Sequence, residues 1–147
     1  MDGFQGAILS VKLKHIDHWT AARRTAAKRY HALFRGTGLG ESGPYPRNGV
    51  ILPHEAPGSK HVWHQYVIRT GRRDELRAFL AERKIGSEIY YPVPLHLQDA
   101  LKELGYKEGD FPEAERAARE VLALPIFPEI REDEQQTVVA AIAEFLS

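Results

Sequence analysis

From Gln5 to about Phe34 the apolar positions recur every three or four residues, at Leu9, Leu13, Ile16, Trp19, Ala22, Ala26, Tyr30 and Leu33. That period predicts one long amphipathic helix, whose other faces carry Lys12, Lys14, Arg23, Arg24, Lys28 and Arg29. Asp2 followed by Gln5 has the spacing of a capping box, so the helix is expected to start where the chain starts. A helix of roughly 30 residues is about 45 Å long. A domain of this size does not need that length, so the helix either bends or reaches toward something else. Gly36, Gly38 and Gly40 close it, and residues 35–49, with Pro44 and Pro46 among them, read as loop. The glycine spacing imitates a phosphate loop. A dinucleotide fingerprint, however, has its strand before the glycines and its helix after, the reverse of the order here.

Past the loop the period falls to two. Residues 50–53 are a short strand candidate. Residues 62–69 are the clearest strand, with Val62, His64, Tyr66 and Ile68 on one face and Trp63, Gln65 and Val67 on the other. A helix comes next over 73–84, with Asp74 and Glu75 early and Arg83 and Lys84 late, as the macrodipole favours, and Leu76, Phe79 and Leu80 inward. Residues 85–91 alternate again, with Ile85, Ser87, Ile89 and Tyr91 sharing a face, until Pro92 and Pro94 forbid ladder bonding. The prolines predict a stiff, extended segment that carries Leu95, His96, Leu97 and Gln98 off the end of the sheet.

A helical turn is expected at 99–104. Asp110 and Pro112 then signal a helix with Glu113 and Glu115 in its first turn and Ala114, Ala117, Ala118 and Val121 inward. Residues 122–128 read as a short apolar strand broken by Pro125. Residues 131–146 form the last amphipathic helix, with Val138, Val139, Ile142, Phe145 and Leu146 inward. This order predicts an α+β fold, an α/β sandwich in which a small, mostly antiparallel sheet is covered by helices and preceded by one long N-terminal helix. Residues 1–147 read as a single domain, with 1–35 as a long linking helix and 50–147 as the sheet-and-helix body.

Composition narrows the classes. The chain has 147 residues, enough for one self-sufficient core, with 43% apolar and 27% charged residues, as in ordinary globular proteins. It contains no apolar run of about 18 residues and no signal-peptide pattern. Without cysteine there is no disulfide framework, thiolate nucleophile or cysteine zinc site, which fits a reducing, cytoplasmic setting. Net charge is zero but uneven. Residues 1–73 hold 12 Lys or Arg against 4 Asp or Glu, and residues 74–147 hold 8 against 16. A basic half attracts phosphates, including those of nucleotides or nucleic acid. The plainer alternative is that the two halves lie together and neutralise each other.

The candidate chemistry is sparse. His61 and His64 resemble a metal pair, but a separation of three puts them on opposite strand faces. His15 and His18 share a helix face without a third ligand, so no metal site is expected. No nucleophile elbow is present. His64, Tyr91, His96 and Gln98 form the better cluster: two of them lie on strands that could be neighbours, and the others sit just past a strand end, where ligands bind. They could hold a hydroxyl, phosphate or carboxylate. Alternatively, Tyr91 packs in the core and His96 caps a backbone carbonyl.

Five blocks in order carry a resemblance. They are residues 1–13 (MDGFQGAILSVKL), 61–68 (HVWHQYVI) with 73–76 (RDEL), 91–98 (YPVPLHLQ), 111–115 (FPEAE), and 124–128 (LPIFP). Together they resemble the C-terminal domain of the DegT/StrS family of nucleotide-sugar aminotransferases. The resemblance implies a fold type I enzyme that uses pyridoxal phosphate to pass an amino group to a nucleotide-linked keto-sugar, with the cofactor lysine on a large domain absent from these 147 residues. None of Lys12, Lys14, Lys28, Lys60, Lys84, Lys102 and Lys107 stands in the family's lysine motif. The chain alone is therefore expected to be inactive, with no catalytic or cofactor-binding residue of its own.

By the same resemblance, Tyr91, Pro92, Pro94 and His96 lie near the active-site mouth, and His64 and Tyr66 match the strand block. The expected partners are the large domain, a nucleotide-linked sugar and a second copy of the chain; nucleic acid and membrane are not expected. Part of the first helix should face the large domain, leaving Phe4, Ile8 or Leu9 exposed. The alternative reading is a free-standing, non-catalytic nucleotide-sugar binding or dimerisation module. A nucleic-acid binder is weaker, because no aromatic residues interleave with Lys and Arg on a strand face.

Overall fold

The computed structural model describes residues 2–39 and 49–147. Most of the glycine-rich loop expected over 35–49, including Gly40, lies outside the described residues. Within them the chain forms five α-helices and a two-stranded antiparallel sheet: α1 (Gly3–Leu13), α2 (Ile16–Gly36), β1 (Tyr66–Arg69), α3 (Arg73–Glu82), α4 (Pro112–Glu120), β2 (Val121–Leu124) and α5 (Glu132–Leu146). Short 3-10 turns span Leu95–Leu97 and Asp99–Leu104.

The long first helix is two helices. Its start is as expected: the Asp2 carboxylate accepts from the Gln5 N–H at 2.8 Å, and the Gln5 side chain accepts from the Asp2 N–H. The ladder breaks at Lys14 and His15, where the His15 N–H turns back to the Lys12 carbonyl and His15 sits at φ −106°, ψ −6°. Neither glycine nor proline forces this. Asp17 in the first turn of α2 favours a new helix N-terminus there, and α1 buries no residue whose packing would hold the two helices in line.

Of the four expected strands, two appear as single bridges. β1 and β2 pair with Tyr66 opposite Leu124 and Ile68 opposite Leu122. Ile51 bridges Arg69 on the outer edge of β1, and Glu88 bridges Ala123 on the outer edge of β2. The antiparallel order is thus residue 51, β1, β2, residue 88. Tyr66 and Ile68 turn into the core, while Val67 and Arg69 are half-exposed.

Residues 62–65 leave the expected strand where the carbonyls of Trp63 and His64, and of His61 just before them, have other partners. One Arg23 guanidinium nitrogen donates to the carbonyls of Trp63 (3.3 Å), His64 (3.2 Å) and Ile126 (2.8 Å), and Arg24 donates to that of His61 at 2.6 Å. Trp63 takes φ +54°, a left-handed conformation that is costly for a bulky residue. This reverses the alternation, so that Trp63 is buried and Val62 exposed.

Helices α2, α5 and α3 pack over the sheet around Tyr30, Phe34, Val50, Trp63, Leu76, Leu80, Leu122, Val139 and Ile142. The buried Tyr30 hydroxyl donates to the Pro125 carbonyl at 2.8 Å, and burial pushes its phenol pKa up. Gln135, fully buried in α5, donates to the Ala26 carbonyl and accepts from Arg29, which satisfies both ends of its amide. No described helix is long and apolar enough to cross a membrane.

Candidate functional site

The prolines stop the third strand candidate as expected, but the segment beyond them is not extended. Pro94 (φ −59°, ψ 147°) is the N-cap of the 3-10 turn Leu95–Leu97, and the turn drives His96 into the protein. Ile85, Ser87 and Ile89 keep the expected inward alternation, whereas Tyr91 leaves it and is 71% exposed. Tyr91 is therefore not a core residue, and it touches Tyr90 edge-on with ring centroids 6.2 Å apart.

His96 does not cap a carbonyl. Its Nε2 lies 3.0 Å from Oε1 of Glu115, and both side chains are buried. The same carboxylate oxygen accepts from the Gly109 N–H at 2.8 Å and the Phe111 N–H at 3.4 Å. Burial raises the Glu115 pKa, but the bonds from Gly109, His96 and Phe111 together outweigh it and hold the carboxyl below its ordinary range. The Phe111 ring closes over His96 at 4.8 Å. One glutamate thus ties the Pro94–Leu97 turn, the loop before α4 and α4 itself into one unit.

Sequence reasoning missed this pair. It placed Ala114, Ala117, Ala118 and Val121 inward on α4, whereas the buried positions are Glu115 and Ala118, with Leu122 one turn further on. The inward stripe is rotated by one residue because a glutamate in a first helical turn reads as solvated. The available signal was the i, i+3, i+7 spacing of residues 115, 118 and 122 on one face.

The four candidates do not converge. His64 has an exposed side chain and, with Gln65, Ser87, Glu88 and Tyr90, lines an open cleft of about 430 Å³ beside β2. Tyr91 lies at the surface, and His96 is enclosed by Glu115 and Phe111. Gln98 spends its amide on the Val93 carbonyl at 3.4 Å. Among the described residues no three His, Cys, Asp or Glu could share a metal ion. His61 Nδ1 accepts from the Trp63 N–H, and His15 lies against the Trp19 ring.

The structure defines a small α+β body that presents a tyrosine-proline segment at its surface and braces it from inside with a buried His-Glu pair. Residues 1–143 match the DegT/DnrJ/EryC1/StrS aminotransferase family, and the chain belongs to that family. It is 51% identical to the "Pleiotropic regulatory protein" of Geobacillus stearothermophilus, over 99% of this chain and 37% of that protein. It is 37% identical to the dTDP-3-amino-3,4,6-trideoxy-alpha-D-glucose transaminase of Streptomyces venezuelae, over 99% of this chain and 36% of that one.

Two solved structures share the fold. S. venezuelae DesV in complex with a ketimine intermediate superposes with a TM-score of 0.87 at 37% identity, covering 100% of this chain and 37% of its own. A family aminotransferase from Brucella abortus gives 0.82 at 32% identity, over 99% and 36% of the two chains. The chain spans a little over a third of the length of the relatives it matches.

Proposed function

We propose that the chain is the C-terminal small domain of a pyridoxal-phosphate-dependent aminotransferase acting on a nucleotide-linked keto-sugar. Its part is to shape the substrate entrance and to pack against a second subunit. The observation that carries this reading is the superposition of the whole chain on S. venezuelae DesV, solved in complex with a ketimine intermediate, with a TM-score of 0.87. The names of the transaminase relatives support the substrate class. In the proposed division, residues 1–35 link this domain to the rest of the enzyme and residues 50–147 are its body.

A pyridoxal phosphate centre needs a lysine whose amine is made nucleophilic by burial or a neighbouring charge. All seven lysines of this chain are exposed, which supports a cofactor lysine outside these residues. In this reading the cofactor is held by other parts of the enzyme, and this chain supplies surface and shape. Tyr91 and His64 border the entrance. His96 is a positioning residue that acts through the segment it anchors to Glu115, and Gln98 steadies that segment from outside through its bond to Val93.

A hybrid tests this. Grafted in place of the matched third of the S. venezuelae transaminase, this chain should give a protein that binds pyridoxal phosphate and aminates a dTDP-linked keto-sugar. Tyr91→Ala in that hybrid should raise KM several-fold, about 1 kcal/mol of lost binding, with kcat little changed. A folded, cofactor-loaded hybrid that makes no amino-sugar would overturn the reading.

A further inference from the structure

Arg24, Lys28, His31 and Arg35 occupy positions i, i+4, i+7 and i+11 of α2 and therefore form one stripe along it. They line a cleft of about 340 Å³ together with Ala32, Glu55 and Trp63. The floor is fixed: the His31 ring nitrogens lie 2.8 Å from the Ala27 carbonyl and 3.0 Å from that of Pro53, and the ring meets those of Trp63 and Tyr66 edge-on.

The charges of this cleft are not balanced. Arg29, Arg69, Arg72 and Arg73 of the basic half pair with Glu132, Glu120, Glu75 and Asp74 of the acidic half, as neutralising halves require. The cleft departs from that pattern. Its one carboxylate among the described residues, Glu55, is committed to Arg24 at 2.7 Å and to the His61 N–H at 2.7 Å, and these bonds lower its pKa and keep it ionised. Lys28 and Arg35 have no acidic partner among the described residues. The lining thus holds three cations against one spent anion. A second cleft of about 480 Å³ continues along α2, sharing Arg24 and Lys28 and adding Thr20, Thr25 and Lys60 with one carboxylate, Asp17, at its far end from Arg35. Like charges at such helical spacings destabilise a helix by a few tenths of a kcal/mol per pair, and a bound anion removes that repulsion.

We propose that this stripe is a binding site for a multiply charged phosphate anion, held between Lys28 and Arg35 above the His31 and Trp63 rings. Lys28 supplies a mobile point charge, and Arg35 a planar fork suited to two phosphate oxygens. Phosphate fits better than a lone carboxylate because one carboxylate would neutralise only one of Lys28 and Arg35, neither of which has an acidic partner among the described residues. The aromatic floor also leaves room for an organic body beside the phosphate. The assignment rests on these residues alone and holds whether or not the chain serves an aminotransferase.

Calorimetric titration of the purified chain at low ionic strength, with inorganic pyrophosphate in one arm and a nucleoside diphosphate in the other, tests it. Saturable one-to-one binding in either arm is expected, weakened about tenfold or more in Lys28→Gln/Arg35→Gln, since a bond to a charged group contributes that much. It should stay unchanged in Lys84→Gln/Lys107→Gln, which removes two exposed cations elsewhere. Tighter binding of the nucleoside diphosphate would identify an organic phosphate as the ligand, and equal binding would identify the phosphate group alone. Circular dichroism checks that the variants fold. Absence of saturable heat in both arms, or equal weakening by the two double variants, would overturn the proposal.

Discussion

Glu115 is buried with three donors converging on one oxygen, and its chemistry has a pH signature. Its folded-state pKa is depressed despite burial, so the carboxylate stabilises the fold above its ordinary titration range. That stability is lost as pH falls through the ordinary value and on to the lower folded one. Thermal melts from pH 7 to pH 3 should therefore show a falling Tm. Glu115→Gln should have a lower Tm at neutral pH and a flatter acid limb, because the amide does not titrate and offers its donors a weaker acceptor. Parallel acid limbs for both proteins would assign the acid sensitivity elsewhere. The sequence pointed to His96 as a residue aimed by the proline segment but not to its partner, since nothing local links positions 96 and 115. The alternation that groups Tyr91 with Ile85, Ser87 and Ile89 ends at Ile89, because it cannot be extrapolated past the point where ladder bonding stops, and of the two readings open for Tyr91 the core one is excluded by its exposure.

Each apolar-periodic segment has a counterpart at the scale of elements, but the first helix is split in two at Lys14 and His15 and one strand is cut short where side chains capture backbone groups. Residues 50–53 and 85–91 have strand patterning but reach the sheet through one bridge each. Residues 62–65 are held by arginines instead of a neighbouring strand. No periodicity argument reaches this, because Arg23 and Arg24 lie about 40 residues away and read as a solvated helix face. Arg23 joins α2 to the run before β1 and to the chain leaving β2. Arg23→Met keeps the aliphatic stem but leaves three carbonyls without their shared donor. The expected loss is about 1–3 kcal/mol in urea denaturation, the usual range for partly buried groups left unsatisfied. A loss under about 0.5 kcal/mol, the level of ordinary surface substitutions, would mean that water replaces the guanidinium.

The whole molecule is lopsided, with its core gathered under α2, α3 and α5 while α1 buries no side chain. Phe4, Ile8 and Val11 lie at i, i+4 and i+7 of α1, and Leu9 and Leu13 at i and i+4, making two adjoining apolar stripes. Phe4 is 77% and Leu13 69% exposed. Contiguous apolar surface of this kind finds partners in water, at about 25 cal/mol per Å² covered. In the proposed enzyme the remaining chain would cover it. In the isolated 147-residue chain only a second copy is available, so light scattering should show mass rising with concentration. Phe4→Ser/Leu13→Ser should return the chain to a monomer without altering its Tm, because neither residue belongs to the core. A sharp monomer at high concentration would mean that α1 folds back onto its own body, and the break at Lys14 and His15 is where that folding would hinge.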